Sequence, residues 1–254
     1  MVEPTKRFTN RVQNYLRYRP SYPRAIISLL ELECGLNSAS VVADMGSGTG
    51  FLSELFLENG NTVLGVEPNA EMRAAGEQIL AKYSKFRSID ASAEDTGLAD
   101  HSIDFITAGQ SFHWFDRMAA RAEFQRILKP DGWIAIIWNG FQSGKSEVID
   151  GYTDVLARYG TDYKAVGCEI ADTHVDSFFE PGAFRNARFA FQQVLDFEGY
   201  KGRVLSASYA PEPGHPNFAP LVAEVERIFN ANEHDGKITF DYDTEMYYGQ
   251  FCVK

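Results

Sequence analysis

The feature that most constrains this chain is a run of glycines set between two kinds of apolar pattern. Val41-Val42-Ala43-Asp44-Met45 is an apolar run of strand length, and Gly46-Ser47-Gly48-Thr49-Gly50 follows it at once. From Phe51 onward, Phe51, Leu52, Leu55 and Phe56 take the spacing of one helix face. A strand that turns through glycines into a helix leaves free backbone N–H groups beside the turn. Glycine also lets the main chain approach a ligand with no Cβ in the way. In an open α/β sheet that edge is where ligands bind.

The same alternation continues. Gly60-Asn61 ends the helix, and Thr62 to Glu67 reads as a second strand. Pro68-Asn69 opens a helix to about Ala81, with Asn69 as N-cap and Glu71 in the first turn. A third strand falls near Phe86 to Ile89 and a fourth at Ile103 to Ala108. A helix from Met118 to Leu128 stops at the turn Lys129-Pro130-Asp131-Gly132, before a fifth strand from Trp133 to Trp138. Five such alternations in roughly 100 residues predict an α/β fold with a doubly wound, mostly parallel sheet. The strands are continuous apolar runs, as expected where helices cover both faces.

After Gly140 the pattern loosens. Glu147 to Tyr159 is helical, 160–182 is mixed, and Ala187 to Phe197 reads as another strand. Pro211 to Pro216 is a loop, Leu221 to Phe229 a helix, and a last strand runs from Ile238 to about Phe251. There is no internal repeat and no linker, so the expectation is a single domain over 1–254.

Charge weighs against one class of partner. The chain has 24 Lys and Arg against 35 Asp and Glu, a net charge of −11, which disfavours a nucleic-acid backbone. Cys34, Cys168 and Cys252 are widely spaced and form no disulfide framework, which fits a reducing compartment. The opening residues lack the apolar core of a secretory signal, and no apolar run is long enough to span a membrane. A cytoplasmic protein is expected. His101, His174, His215 and His234 form no metal-ligand spacing, so no metal is expected. Gly144-Lys145-Ser146 lacks the upstream glycine of a phosphate-binding loop.

The cofactor is the main fork. Glu67 closes the second strand, 17 residues beyond Gly50, where an acid can accept hydrogen bonds from both ribose hydroxyls. A dinucleotide-binding turn would need its third glycine at position 51, which is Phe51. Asp44 stands two residues before the first glycine and would repel a pyrophosphate while attracting a cation. S-adenosylmethionine fits, being an adenosine with a sulfonium and an α-ammonium and no phosphate.

At these residues the chain resembles a known family. VVADMGSGTGFLS followed by VLGVEPNAEMR resembles the first two motifs of class I S-adenosylmethionine-dependent methyltransferases. ASAEDTGLADHSIDFITAGQSFHWFD and ILKPDGWIAIIW are similar to the later segments of the type 11 small-molecule group. FTNRVQNYLRYRPSYP is similar to the lid of relatives of trans-aconitate methyltransferase. The resemblance implies a Rossmann-like seven-stranded sheet of order 3-2-1-4-5-7-6, strand 7 antiparallel, with an insertion before strand 6. It divides the domain into an N-terminal lid (8–35), a cofactor-binding core (36–140), and a substrate-side insertion with the last two strands (141–254).

Carried over residue by residue, the resemblance implies that Asp44, Gly46, Ser47, Gly48 and Gly50 hold the methionyl part and ribose. Glu67 binds the ribose hydroxyls, and Pro68 with Met72 packs on the adenine. Ser92-Ala93-Glu94 lies at the adenine edge, where many members have Asp-Ala instead. Gln110 lines the methionyl pocket, and Tyr15 and Arg19 close over the cofactor, Arg19 as partner of its carboxylate.

Phe112, His113 and Trp114 follow the fourth strand at the edge where chemistry occurs. They are expected to form the acceptor pocket or else to cap the core, with His113 either a general base or a hydrogen-bonded structural histidine. The function implied is in-line methyl transfer to the O, N or C atom of a small molecule, a carboxylate included, releasing S-adenosylhomocysteine. Two alternatives stay open: a nicotinamide-dependent oxidoreductase on the same topology, and a non-catalytic protein that only binds S-adenosylmethionine.

Overall fold

The computed structural model describes residues 17–141, 144, 146–161, 172–180 and 183–251. The first half is an alternation of helices and strands: α1 (Ala25–Cys34), β1 (Val41–Met45), α2 (Phe51–Glu58), β2 (Thr62–Val66), α3 (Ala70–Leu80) and β3 (Phe86–Ile89). Next come β4 (Ile103–Gly109), a single 3-10 turn (Phe112–Trp114), α4 (Arg117–Ile127) and β5 (Leu128–Gly140). The second half comprises α5 (Glu147–Tyr159), α6 (Asp172–Phe179), β6 (Phe184–Leu195), α7 (Phe197–Leu205), α8 (Phe218–Asn232) and β7 (Ile238–Gly249).

The strands form one seven-stranded sheet of order β3-β2-β1-β4-β5-β7-β6. β1 to β5 pair in parallel, while β7 is antiparallel to both β5 and β6. This is the Rossmann-like sheet expected. Its faces alternate residue by residue: Ala43 and Met45 of β1 join a core under α4 and α6, whereas Val42 joins one under α1 and α2. A parallel strand is apolar throughout because both of its faces are covered.

Local chemistry sets the helix ends. The Asn69 side chain accepts the Met72 N–H at 2.8 Å, so Asn69 caps α3 as its position predicts. Asp116 does the same for α4, accepting the N–H groups of Met118 and Ala119.

Two expectations need correction. The Lys129–Gly132 turn lies inside β5: Ile103 pairs with Leu128 and Phe105 with Trp133, so two steps on β4 oppose five on β5. The turn is taken up as a bulge, which keeps the strand continuous. Phe197 does not end β6 but starts α7, because the Asp196 side chain accepts the Gly199 N–H at 2.8 Å and caps a new helix there.

The helices that follow β5 lie on both sides of β6 in the chain, with α5 and α6 before it and α7 and α8 after it. Register gives them their place. β7 pairs with β5 from Asp243 to Gly249, but with β6 along its whole length from Ile238. The β6–β7 ribbon therefore extends past Gly140, beyond the carboxyl end of β5. On this overhang Leu195, Ile238, Phe240 and Tyr242 form a separate core with α5, α7 and α8. A helical layer is thus built on at the edge where the glycine turn lies. No described helix is long and apolar enough to cross a membrane.

Candidate cofactor and acceptor site

The turn after β1 is pinned to the end of β2. The N–H groups of Gly46 and Ser47 donate to the Val66 carbonyl at 2.8 and 3.1 Å. Gly46, Gly48 and Gly50 all have positive φ. A Cβ on Gly50 would stand 2.5 Å from Leu80 Cδ1, so this glycine makes room for α3. A Cβ on Gly48 would meet only Met72 Cε, at 3.4 Å, with φ at +57°. Gly48 is open where Gly50 is packed.

Two cavities meet at this turn, of about 890 and about 490 Å³, and Gly46, Gly48 and Gln110 line both. The larger is lined by Glu67, Pro68, Met72, Ser92, Ala93 and Glu94, which gathers the residues expected around adenine and ribose. The smaller is lined by Arg19, Asp44 and Ser47, which were expected around the methionyl part. Trp114 lines the larger cavity.

Each polar group is held in place. Glu67 is 8% exposed, and its carboxylate accepts the N–H of Gly48 at 2.9 Å and that of Asn69 at 2.8 Å. Burial raises its pKa above the usual carboxylate value, against the two N–H groups that lower it. Asp44 is 1% exposed and accepts the hydroxyls of Ser53 (2.6 Å) and Thr107 (3.0 Å). Burial pushes its pKa up to about 6, which these hydroxyls only partly oppose. The Gln110 amide donates to the Asn139 carbonyl at 3.0 Å, and its backbone has φ +58°. A non-glycine residue in that region marks a strained position of the kind concentrated at binding sites. Arg19 donates to the Ser206 carbonyl at 3.1 Å. The Glu94 carboxylate accepts the Asp116 N–H at 2.9 Å, tying the loop after β3 to the start of α4.

Not every expected residue reaches the cavities. Phe112 is 2% exposed and packs edge-on against Phe178 and Phe115, with ring centroids 4.9 and 5.9 Å away. It belongs to the core, because the 3-10 turn points it back under α4 and α6 rather than outward. Gly50 likewise packs away from both cavities. The His113 ring lies against Trp114 and Trp138 at 4.3 and 4.9 Å and lines neither cavity. Burial lowers its pKa to about 4, and its Nδ1 is buried without a hydrogen-bond partner among the described residues. Tyr15, Cys168 and Cys252 lie outside the described residues.

Other lining residues escape a reading of the sequence. Thr49, Asn139 and Arg203 line the smaller cavity, and Ser111 the larger. The Ser111 hydroxyl donates to the Met45 carbonyl at 2.6 Å, joining the ends of β1 and β4. The Thr49 hydroxyl is buried with no partner among the described residues. Asn139 could have been found from its place at the end of an apolar strand. Arg203 lies in a helix with no motif around it.

Residues 43–136 match the family model described as a methyltransferase domain. An uncharacterized methyltransferase-like protein of Schizosaccharomyces pombe is 29% identical over 240 residues, covering 90% of each chain. An uncharacterized methyltransferase of Mycobacterium bovis is 36% identical over 136 residues, 52% of this chain and 51% of that one. The Schizosaccharomyces pombe match over 240 residues aside, the chain spans about half the length of the curated relatives it matches. A solved structure of a type II methyltransferase candidate from Anaeromyxobacter dehalogenans shares the fold, with a TM-score of 0.67 at 22% identity over 92% of this chain and 98% of that one. Residues 43–136 thus match a methyltransferase domain, and the described sheet shares its fold with a solved methyltransferase candidate.

Proposed function

We propose that the protein binds S-adenosylmethionine across the two cavities and transfers its methyl group to a small-molecule acceptor. The observation that carries this reading is the pair of buried carboxyl groups, Asp44 and Glu67, on the two strands that flank the open Gly48 turn. The residues fit the group. Glu67 keeps lone pairs free for two ribose hydroxyls. Pro68 and Met72 offer an apolar wall to adenine. At the turn the buried charge is acidic, which suits a cation rather than a pyrophosphate.

When bound, S-adenosylmethionine supplies a methyl group already made electrophilic by the sulfonium. The chain's work is placement. Glu67 and the α3 start fix the nucleoside end, and Asp44 sets a negative potential below the turn. Arg19, which lines the smaller cavity, would meet the cofactor's carboxylate. Gln110, held by Asn139, lines both cavities and defines where an acceptor atom can approach in line, about 3 Å from the methyl. The helical layer of α5, α7 and α8 limits water at that edge, and a less polar site favours loss of the sulfonium charge. His113 is neutral at pH 7, walled off by two tryptophans, and serves as a wedge rather than a base.

Calorimetric titration with S-adenosylmethionine, S-adenosylhomocysteine and NAD tests this reading, followed by S-adenosylhomocysteine release over a panel of acceptors. Binding of NAD alone would support an oxidoreductase. Binding of S-adenosylmethionine with no turnover on any acceptor would support a binding protein.

A further inference from the structure

Arg203 is 3% exposed, yet no carboxylate of the described residues lies within ion-pair distance of it. A buried arginine without an acid partner is rare, because its desolvation is then uncompensated. Its Nε donates to the Tyr242 hydroxyl at 2.8 Å and its Nη1 to the Tyr152 hydroxyl at 2.9 Å. The guanidinium carbon lies over the rings of Tyr152, Phe240 and Tyr242 at 5.0, 5.5 and 5.8 Å. Tyr242 is fixed in turn, donating to the Gln193 side chain at 3.1 Å. The aromatic cage immobilises the cation but does not neutralise it.

This cation lines the smaller cavity, beside Gln110 and Asn139. Asp44 of the same cavity is not its partner, since the Asp44 carboxyl is occupied by Ser53 and Thr107. Arg19 stands nearby, bonded to the carbonyl of Ser206, whose own hydroxyl donates to the Arg203 carbonyl at 2.7 Å. Two arginines thus line the smaller cavity. One answers the cofactor's single carboxylate, and the second has no ligand in the proposed reaction unless the acceptor is itself an anion.

We infer that the methyl acceptor is a small carboxylic acid, whose carboxylate is anchored by Arg203 in the cage of Tyr152 and Tyr242. This rests on the methyltransferase reading and adds the acceptor's chemical class. With two of its five N–H groups committed to tyrosines, Arg203 keeps a planar edge suited to the two oxygens of a carboxylate. A phosphate dianion would want more donors and, with twice the charge of a carboxylate, would meet stronger repulsion from Asp44. The overhang of the β6–β7 ribbon makes the anchor possible, since it brings Tyr242 and α7 out over the carboxyl edge of the sheet.

The test is calorimetry on the full chain saturated with S-adenosylhomocysteine, whose own binding is measured first. The probes are benzoate, butyrate, succinate and citrate, each paired with its amide, together with phenyl phosphate. The inference expects at least one acid to bind at least about tenfold more tightly than its amide. It also expects Arg203→Gln to abolish that preference while costing S-adenosylhomocysteine at least about tenfold less affinity than it costs the acids, and Arg203→Lys to retain part of it. Tyr242→Phe keeps the cation and should weaken the acids in the same direction, which provides a readout if Arg203→Gln does not fold. Failure of every acid to bind, equal binding of acid and amide, or preference for the phosphate overturns the inference. So does a loss of S-adenosylhomocysteine affinity in Arg203→Gln as large as the loss for the acids, which would make Arg203 a cofactor anchor. If the wild-type chain binds no S-adenosylhomocysteine at all, the underlying methyltransferase reading fails instead.

Discussion

The carboxylate of Glu67, at the end of β2, accepts the backbone N–H of Gly48, in the turn after β1, at 2.9 Å. A single side chain thereby shapes the glycine turn and presents its remaining lone pairs to whatever lies against it. Glu67→Ala removes both roles. Hydrogen bonds to a charged group contribute about 1.5–3 kcal/mol each, so S-adenosylmethionine affinity should fall by about 10- to 100-fold in calorimetry. Glu67→Gln should lose nearly as much, because one face of the amide would set an N–H against the N–H of Gly48 or Asn69. An unchanged affinity in both variants would remove Glu67 from the ribose site.

Asp44 predicts a trade between stability and binding. Burial raises its pKa from 3.8 to about 6, so the folded chain holds this proton more tightly than the unfolded chain. Its contribution to stability is therefore fullest below pH 3.8 and is lost as the pH rises through about 6. Asp44→Asn removes the buried charge and should stabilise the ligand-free protein at pH 8, by on the order of 2 kcal/mol in denaturant melts. The same change should weaken S-adenosylmethionine, and wild-type affinity should drop as the pH falls below 6. Affinity that stays flat from pH 5 to 8 would contradict the role assigned to this carboxylate.

The glycines of the turn should separate by assay. Gly50→Ala drives a Cβ to 2.5 Å from Leu80 at φ +89°, so it should lower the melting temperature through strain of about 1–3 kcal/mol. Gly48→Ala meets no close atom in the free protein and should cost less stability, while the new methyl intrudes on the cavity and weakens S-adenosylmethionine more than Gly50→Ala does. Thermal melts and calorimetry on the two variants decide it, and the reverse order would contradict the assignment.

His113→Phe should keep turnover within about threefold and raise stability by about 1 kcal/mol, because it removes a buried Nδ1 that has no partner among the described residues. A pH–rate profile without a limb from this imidazole is the companion result. A loss of several orders of magnitude would restore His113 as a base.

Much of this arrangement was legible before any coordinates. β1, β2, β4 and β5 were readable because each is a largely apolar run with glycine or proline at an end, and Asn69 because a cap is a local matter of one side chain and one N–H. Glu67 and the glycine turn were readable because spacing along a βαβ unit maps directly onto space. The bulge at Lys129–Gly132 was not, since whether a turn breaks a strand depends on the neighbour β4. Nor was α7, whose capping Asp196 follows a run of alternating aromatics that looks like strand to its end. Phe112 shows the same limit: a residue beside a site faces the core or the cavity according to a single 3-10 turn. Arg203 was out of reach altogether, because its meaning lies in Tyr152 and Tyr242, 51 and 39 residues away.

The most direct test is a calorimetric titration of the purified chain with S-adenosylhomocysteine and, separately, with NAD. One site for S-adenosylhomocysteine, weakened by Glu67→Ala, and no heat from NAD is the expected result. Binding of NAD in its place, or no binding of either nucleoside, would contradict the account.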